Sequence, residues 1–117
     1  MRRDDALILD MLTASQRIIE FIADMDFDQF EKSDLVQSAV VQKFLILGEA
    51  TRNLTEGLKI QYPEIEWVKI MGMRNKIAHE YFNIVPHIVW ETIQTKIKPL
   101  IPQLEKILTD LNRPTTE

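Results

Sequence analysis

The chain has 117 residues, a single-domain length, with 45% hydrophobic and 27% charged residues and a formal net charge of −4. The absence of cysteine excludes disulfides, thiolate metal sites and cysteine nucleophiles, and the acidic balance argues against sequence-independent gripping of duplex phosphates, which needs many cations. No apolar run approaches the roughly 20 residues of a membrane span, and Met1-Arg2-Arg3-Asp4-Asp5 turns acidic where a secretory leader is apolar, so the expectation is a cytoplasmic protein without a membrane segment.

From Asp4 to about Asp24, the positions Leu7, Ile8, Met11, Leu12, Ile18, Ile19 and Ile22 recur at helical spacing and predict a first helix with one buried stripe. Asp24, Asp26 and Asp28 then alternate as in a calcium loop. Counting from Asp24, however, the sixth position is Gln29 where an EF-hand needs glycine, and the twelfth is Leu35 where it needs glutamate. The segment therefore reads as a solvated acidic connection.

Ser33 is suited to cap a second helix, with Asp34 in its first turn and Val36, Val40, Phe44, Leu47, Leu54 and Leu58 on one face as far as Gly57. Inside it, the pair Gly48-Glu49 fits either a close helix approach or a functional carboxylate, with packing the simpler reading. Pro63, Glu64 and Glu66 suit the start of a third helix, continued by Trp67, Ile70, Met71, Ile77 and Ala78. Pro86 opens a fourth, whose stripe runs from Val89 through Trp90, Ile93, Ile97, Leu100, Leu104 and Ile107 to Leu111, with kinks expected at Pro99 and Pro102. The sequence has no internal repeat and no alternating strand pattern. The expectation is an all-α antiparallel bundle of four to five helices, one domain over residues 1–111, with 112–117 as a frayed tail.

Chemistry concentrates in Arg74-Asn75-Lys76-Ile77-Ala78-His79-Glu80-Tyr81, where a permanent cation, an amide, an imidazole and a phenol fall within eight residues. A guanidinium can hold a phosphate through two charge-assisted hydrogen bonds, and an imidazole exchanges protons near neutral pH. Arg74 and His79 could then support attack of a ribose 2′-hydroxyl on the adjacent phosphorus without a metal ion. On one regular helix, however, they point roughly 140° apart, at about 100° per residue. A two-fold dimer that pairs two copies of this helix would line one cleft with both groups, so a homodimer is expected. The plainer alternative is that Arg74 covers apolar surface or pairs with Glu49. Trp67 and Trp90 read as core or interface anchors, His87 as a surface or capping residue, and Arg52, Lys69 and Lys76 as solvated helix surface.

Gly48-Glu49-Ala50, Pro63-Glu64-Ile65-Glu66-Trp67 and the run Met73 to Phe82 resemble, in order and spacing, successive signatures of HepT-type HEPN proteins over about residues 37–100. The most specific part is arginine, four residues, histidine, any residue, tyrosine. The resemblance implies the HEPN helical fold and a ribonuclease toxin needing no cofactor. Its catalytic residues would be Arg74 and His79 at a dimer interface, with Asn75 as the supporting polar position. It also implies a partner, an MntA-like nucleotidyltransferase antitoxin that moves AMP from ATP onto Tyr81, in a homodimer or a larger hetero-oligomer. Added there, AMP would bring bulk and negative charge against an RNA phosphate. The competing reading is a non-catalytic HEPN subunit that docks a nucleotidyltransferase and helps present its substrate.

Overall fold

The structure, a computed structural model, describes residues 3–79 and 85–113, and these form an all-α fold with no strand among them. Helix α1 (Asp4–Phe21) buries Leu7, Ile8, Met11, Leu12 and Ile18, the stripe expected from the periodicity. It stops one turn before Asp24, although Ile22 just beyond it is still core.

The acidic connection contains a short helix, α2 (Phe27–Glu31). A capping box starts it: the Asp26 carboxylate accepts the Gln29 N–H at 2.9 Å and the Gln29 side chain accepts the Asp26 N–H at 2.9 Å. Phe30 anchors it in the core, its ring centroid 5.3 Å from that of Trp90. Asp26 is thus a capping residue; Asp24, Asp26 and Asp28 are exposed as a solvated connection requires, and the segment in addition holds a short helix anchored by Phe30.

Ser33 caps α3 (Asp34–Asn53), its Oγ accepting the Val36 N–H at 3.2 Å. Leu54 then turns extended and Thr55 caps a separate α4 (Glu56–Gln61), so the predicted run to Gly57 is cut. The reason lies in α1. The Asp4 carboxylate accepts both the Thr55 N–H (3.1 Å) and its hydroxyl (2.6 Å), which satisfies backbone that a continuous helix would have used itself. Leu54 and Leu58 keep their core places across the break.

A turn over Pro63–Glu66 precedes α5 (Trp67–His79), which begins a turn later than Pro63 suggests. The first helical bond runs from the Ile70 N–H to the Glu66 carbonyl, 3.1 Å. The buried Trp67 indole N–H is shared between the carbonyls of Lys59 and Tyr62, both at 3.1 Å, and so pins the start of α5 to the end of α4.

Pro86 opens α6 (Pro86–Thr92) as expected. A π-helical stretch, Ile93–Ile97, then leads into α7 (Lys98–Asn112). A proline at 99 lacks an N–H and would crowd the Thr95 carbonyl of an ordinary α-turn. The wider turn, with the Lys98 N–H bonded five residues back to Ile93, makes the room, so the disruption expected at Pro99 takes the form of a π-stretch. Pro102 is accommodated within α7.

The core lies where α1 packs between α3 and α7, and α2 seats against α3 and α6. Asp4 at the head of α1 meets Thr55 just past the end of α3, so these two helices run antiparallel. Helix α5 leans on α3. No helix among the described residues is long and apolar enough to cross a membrane. The expected tail largely falls on 114–117, outside the described residues, whereas Asn112 is the last residue of α7.

Candidate functional site

Helix α5 carries the predicted chemistry, and Gly48 decides how closely it approaches α3. A Cβ at position 48 would collide with the Arg74 Cβ and lie 2.6 Å from its Cγ. The Gly48-Glu49 pair is therefore a close-packing position, and the residue pressed against it is Arg74. Glycine is required here because no other residue lets the two helix surfaces come this near.

From that contact the Arg74 side chain reaches the surface and is 33% exposed. Nη2 stands 3.5 Å from Glu49 Oε2, and Nη1 donates to Asn75 Oδ1 at 3.3 Å. The Glu49 pairing offered as the plainer alternative is thus present. Both partners are substantially exposed, and a solvated pair of this kind contributes about 0–1 kcal/mol. An incoming anion can compete for the guanidinium at that cost.

Around Arg74, the seam between α3 and α5 forms a shallow concavity lined by Gln42, Leu45, Ile46, Glu49 and Ile77. The α3 residues among these fall at i, i+3, i+4 and i+7. They form a second helical stripe beside the core stripe, and that spacing is the sequence signal that would have found them.

His79 is the last residue of α5, exposed, with no hydrogen-bond partner among the described residues. It does not line the concavity that holds Arg74. Within one chain, then, Arg74 is brought to Glu49 and Asn75, while His79 stands apart, in keeping with the roughly 140° between them on a helix. Asn75 is exposed beside Arg74. Tyr81 lies outside the described residues. Among the described residues no three His, Asp or Glu side chains cluster as a metal ion would require.

Just before α5, Glu66 bridges two cations, with Lys69 Nζ at 2.6 Å and Lys96 Nζ at 3.0 Å. Hydrogen bonds from Lys69 and then Lys96 hold its carboxyl below the usual carboxylate range. At the end of α4, Tyr62 is buried and donates to Asp110 Oδ2 at 2.8 Å, tying α4 to α7. Burial first, and the Asp110 bond second, push its phenol pKa upward. His87 is exposed in the first turn of α6.

Comparison with known proteins extends the likeness over nearly the whole chain. Residues 11–107 match the family model described as ribonuclease HepT-like. A Methanocaldococcus jannaschii protein named as a candidate RNase is 35% identical over 106 residues, 91% of this chain and 88% of that one. The probable ribonuclease HepT of Thermococcus cleftensis is 33% identical over 98 residues, 84% of this chain and 89% of that protein. A second Methanocaldococcus jannaschii protein, named as a gamma-glutamylcyclotransferase and candidate RNase, is 30% identical over 97% of this chain, which covers 51% of its length. No solved structure gives a significant match. The chain, on this match and on its all-helical fold, belongs to the HepT-like ribonuclease family.

Proposed function

We propose that this chain is a metal-independent ribonuclease, the toxin of a toxin–antitoxin pair, whose catalytic residues are Arg74 and His79 in a cleft completed by a second copy of the chain. The observation that carries the reading is the state of Arg74. Its backbone is fixed against Gly48 while its guanidinium remains part-exposed beside a concavity, held among the described residues by a solvent-screened carboxylate and a neighbouring amide.

In the reaction, the ribose 2′-oxygen forms a bond to the adjacent phosphorus as the bond to the 5′-oxygen breaks, leaving a 2′,3′-cyclic phosphate and a free 5′-hydroxyl. One His79 imidazole takes the 2′-hydroxyl proton, and an imidazolium gives a proton to the leaving oxygen. Arg74 stabilises the charge that develops on the phosphoryl oxygens. Because His79 stands apart from Arg74 in one chain, two-fold pairing of α5 lines one cleft with the arginines and histidines of both copies, so that one histidine acts as base and the other as acid. Asn75, beside Arg74, supports the guanidinium.

The off-switch in this reading is transfer of AMP from ATP onto Tyr81 by an MntA-like nucleotidyltransferase antitoxin. The adenylyl group adds bulk and a negative charge two residues from His79 and excludes the RNA phosphate. Peptide mass analysis after incubation with that partner and ATP reads this directly; Tyr81 left unmodified refutes it. Sedimentation at micromolar concentration tests the pairing, and a monomer throughout refutes it.

The central test is RNA cleavage in the presence of a chelator. Arg74→Ala keeps the Cβ that abuts Gly48, so the helix seam survives, and the rate is expected to fall about 10²- to 10³-fold. His79→Ala is expected to lose about 10²- to 10⁴-fold. The pairing of Arg74 with Glu49 favours one competitor, a docking subunit in which Arg74 is structural. Wild-type protein that cleaves no cellular RNA would overturn the ribonuclease reading and favour that competitor.

A further inference from the structure

A second groove runs along α5 on the side away from Arg74. It lies between α5 and the continuous run of α6, the π-stretch and α7, and encloses about 430 Å³, within the range of small-molecule sites at roughly 300–1,000 Å³. Its floor is apolar: Ile65, Ile97 and Leu100 are core residues, and Ile70 and Met73 pack partly buried against the core. Its lips carry Lys69 and Lys76 from α5 and Lys96 from the π-stretch.

Two features give this groove a ligand chemistry. Ammonium groups from facing walls, Lys69 and Lys96, converge on a single anionic group at its mouth, the Glu66 carboxylate, which is the arrangement a phosphate also satisfies. These pairs are exposed, and exchanging one anion for another there costs little. The second feature is direction. On α5, His79 points within about 20° of Gly72 and about 60° of Lys76, both of which line the groove, whereas Arg74 faces α3. The edge of the groove marked by Gly72 and Lys76 therefore leads toward His79, while Ile70 and Met73 on its floor point well away from it, and from Trp67 to Lys76 the helix rises about 14 Å, room for more than one nucleotide.

We propose that this groove is the subsite for the RNA strand next to the scissile phosphate, with a base resting on Ile70, Met73 and Leu100 and the backbone phosphates taken by Lys69, Lys96 and Lys76. The proposal rests on the ribonuclease reading and adds to it where the substrate lies. An apolar floor accepts any base by its face, and cationic lips track the backbone, the pairing of features that sequence-tolerant single-strand binders use. The lining carries three lysines against two glutamates, Glu64 and Glu66, a local excess of one cation on a chain whose overall net charge is −4.

The test uses the full chain and a fluorescent single-stranded oligoribonucleotide with 2′-O-methyl groups, which can bind but has no 2′-hydroxyl to attack. In fluorescence anisotropy at about 50 mM salt, Lys69→Gln/Lys96→Gln is expected to bind about tenfold more weakly, and its slope of log affinity on log salt should flatten by about 1.4, two phosphate contacts at roughly 0.7 each. Glu66→Gln, which removes the competing carboxylate, is expected to bind more tightly than wild type. Both variants change exposed side chains, and unchanged circular dichroism melting checks their fold. Wild-type binding that is unaltered in affinity and salt slope by the double substitution overturns the subsite while leaving the ribonuclease reading intact. A double variant that binds RNA normally but changes its sedimentation overturns it in favour of a protein-binding groove. Absence of cleavage by wild type on unmodified RNA, by contrast, speaks against the ribonuclease reading itself.

Discussion

Gly48→Ala is the substitution whose consequence can be worked most fully from the structure. The new methyl would collide with the Arg74 Cβ, stand 2.6 Å from its Cγ and 3.4 Å from its Cα. Carbon atoms pack at about 3.5–4.0 Å, so the Cγ contact alone requires α5 to retreat by about 1–1.4 Å. The clash is with atoms close to the backbone, and a change of rotamer cannot relieve it. Overpacking of this kind costs about 1–3 kcal/mol. Replacing a mid-helix glycine by alanine returns about 1 kcal/mol, which would blur the result if the variant were compared only with wild type. Gly72→Ala supplies the reference. Gly72 is also inside a helix, and a Cβ there meets nothing within 4 Å. The propensity gain is common to both variants, so the difference in their unfolding free energies isolates the collision, about 1–3 kcal/mol with Gly48→Ala the less stable. Urea titration followed by circular dichroism measures it. Because the collision moves Arg74 itself, RNA cleavage by Gly48→Ala is expected to fall about 10²-fold, the effect of a displacement near 1 Å. A Gly48→Ala protein as stable as Gly72→Ala and cleaving at the wild-type rate would refute the account of this seam.

Tyr62→Phe removes the bond to Asp110 and is expected to cost about 0.5–1.5 kcal/mol. The phenol pKa is raised in the fold, so its contribution is complete below the ordinary value near 10 and is lost as pH rises through the folded value; the Phe variant lacks that alkaline component, which thermal melts across pH 9–12 detect. Phe30→Ala empties a fully buried site against Trp90 and is expected to cost about 3–5 kcal/mol, with a change in Trp90 fluorescence; an unchanged melting temperature would contradict α2 as a core element. Asp4→Ala removes the acceptor for Thr55 and is expected to cost about 1 kcal/mol, read by thermal melting.

Helix identity was legible wherever a stripe of apolar residues could be counted, and Ser33 and Pro86 announced their helix starts through local chemistry. What escaped were features made by residues distant in sequence. The end of α3 depends on Asp4, 51 positions from Thr55, and no window on Leu54–Gly57 contains that information. The helix within the acidic segment depends on a pocket for Phe30 that Trp90 helps to build. At the site, Gly48-Glu49 was readable as a packing position, but the residue it packs against was not. His79 and Arg74 were singled out by their types, and their separation, which the structure shows, follows from helical geometry. The α3 stripe of Gln42, Leu45, Ile46 and Glu49 was overshadowed by the stronger core stripe beside it.

Of the thirteen residues of α5, only Trp67 and Ile77 are buried, and α3 is the helix against which it chiefly rests. A helix held along one side opens at a lower free energy than the helices enclosed by the core. Its amides should therefore exchange with deuterated solvent sooner than those of α1 and α3, and the helix proposed to carry the catalytic pair comes loose before those two core helices. Any ligand that lies along its uncovered flank slows that exchange in proportion to its occupancy. The weak anchoring of α5 thus provides a gauge of RNA binding that is independent of whether the RNA is cut.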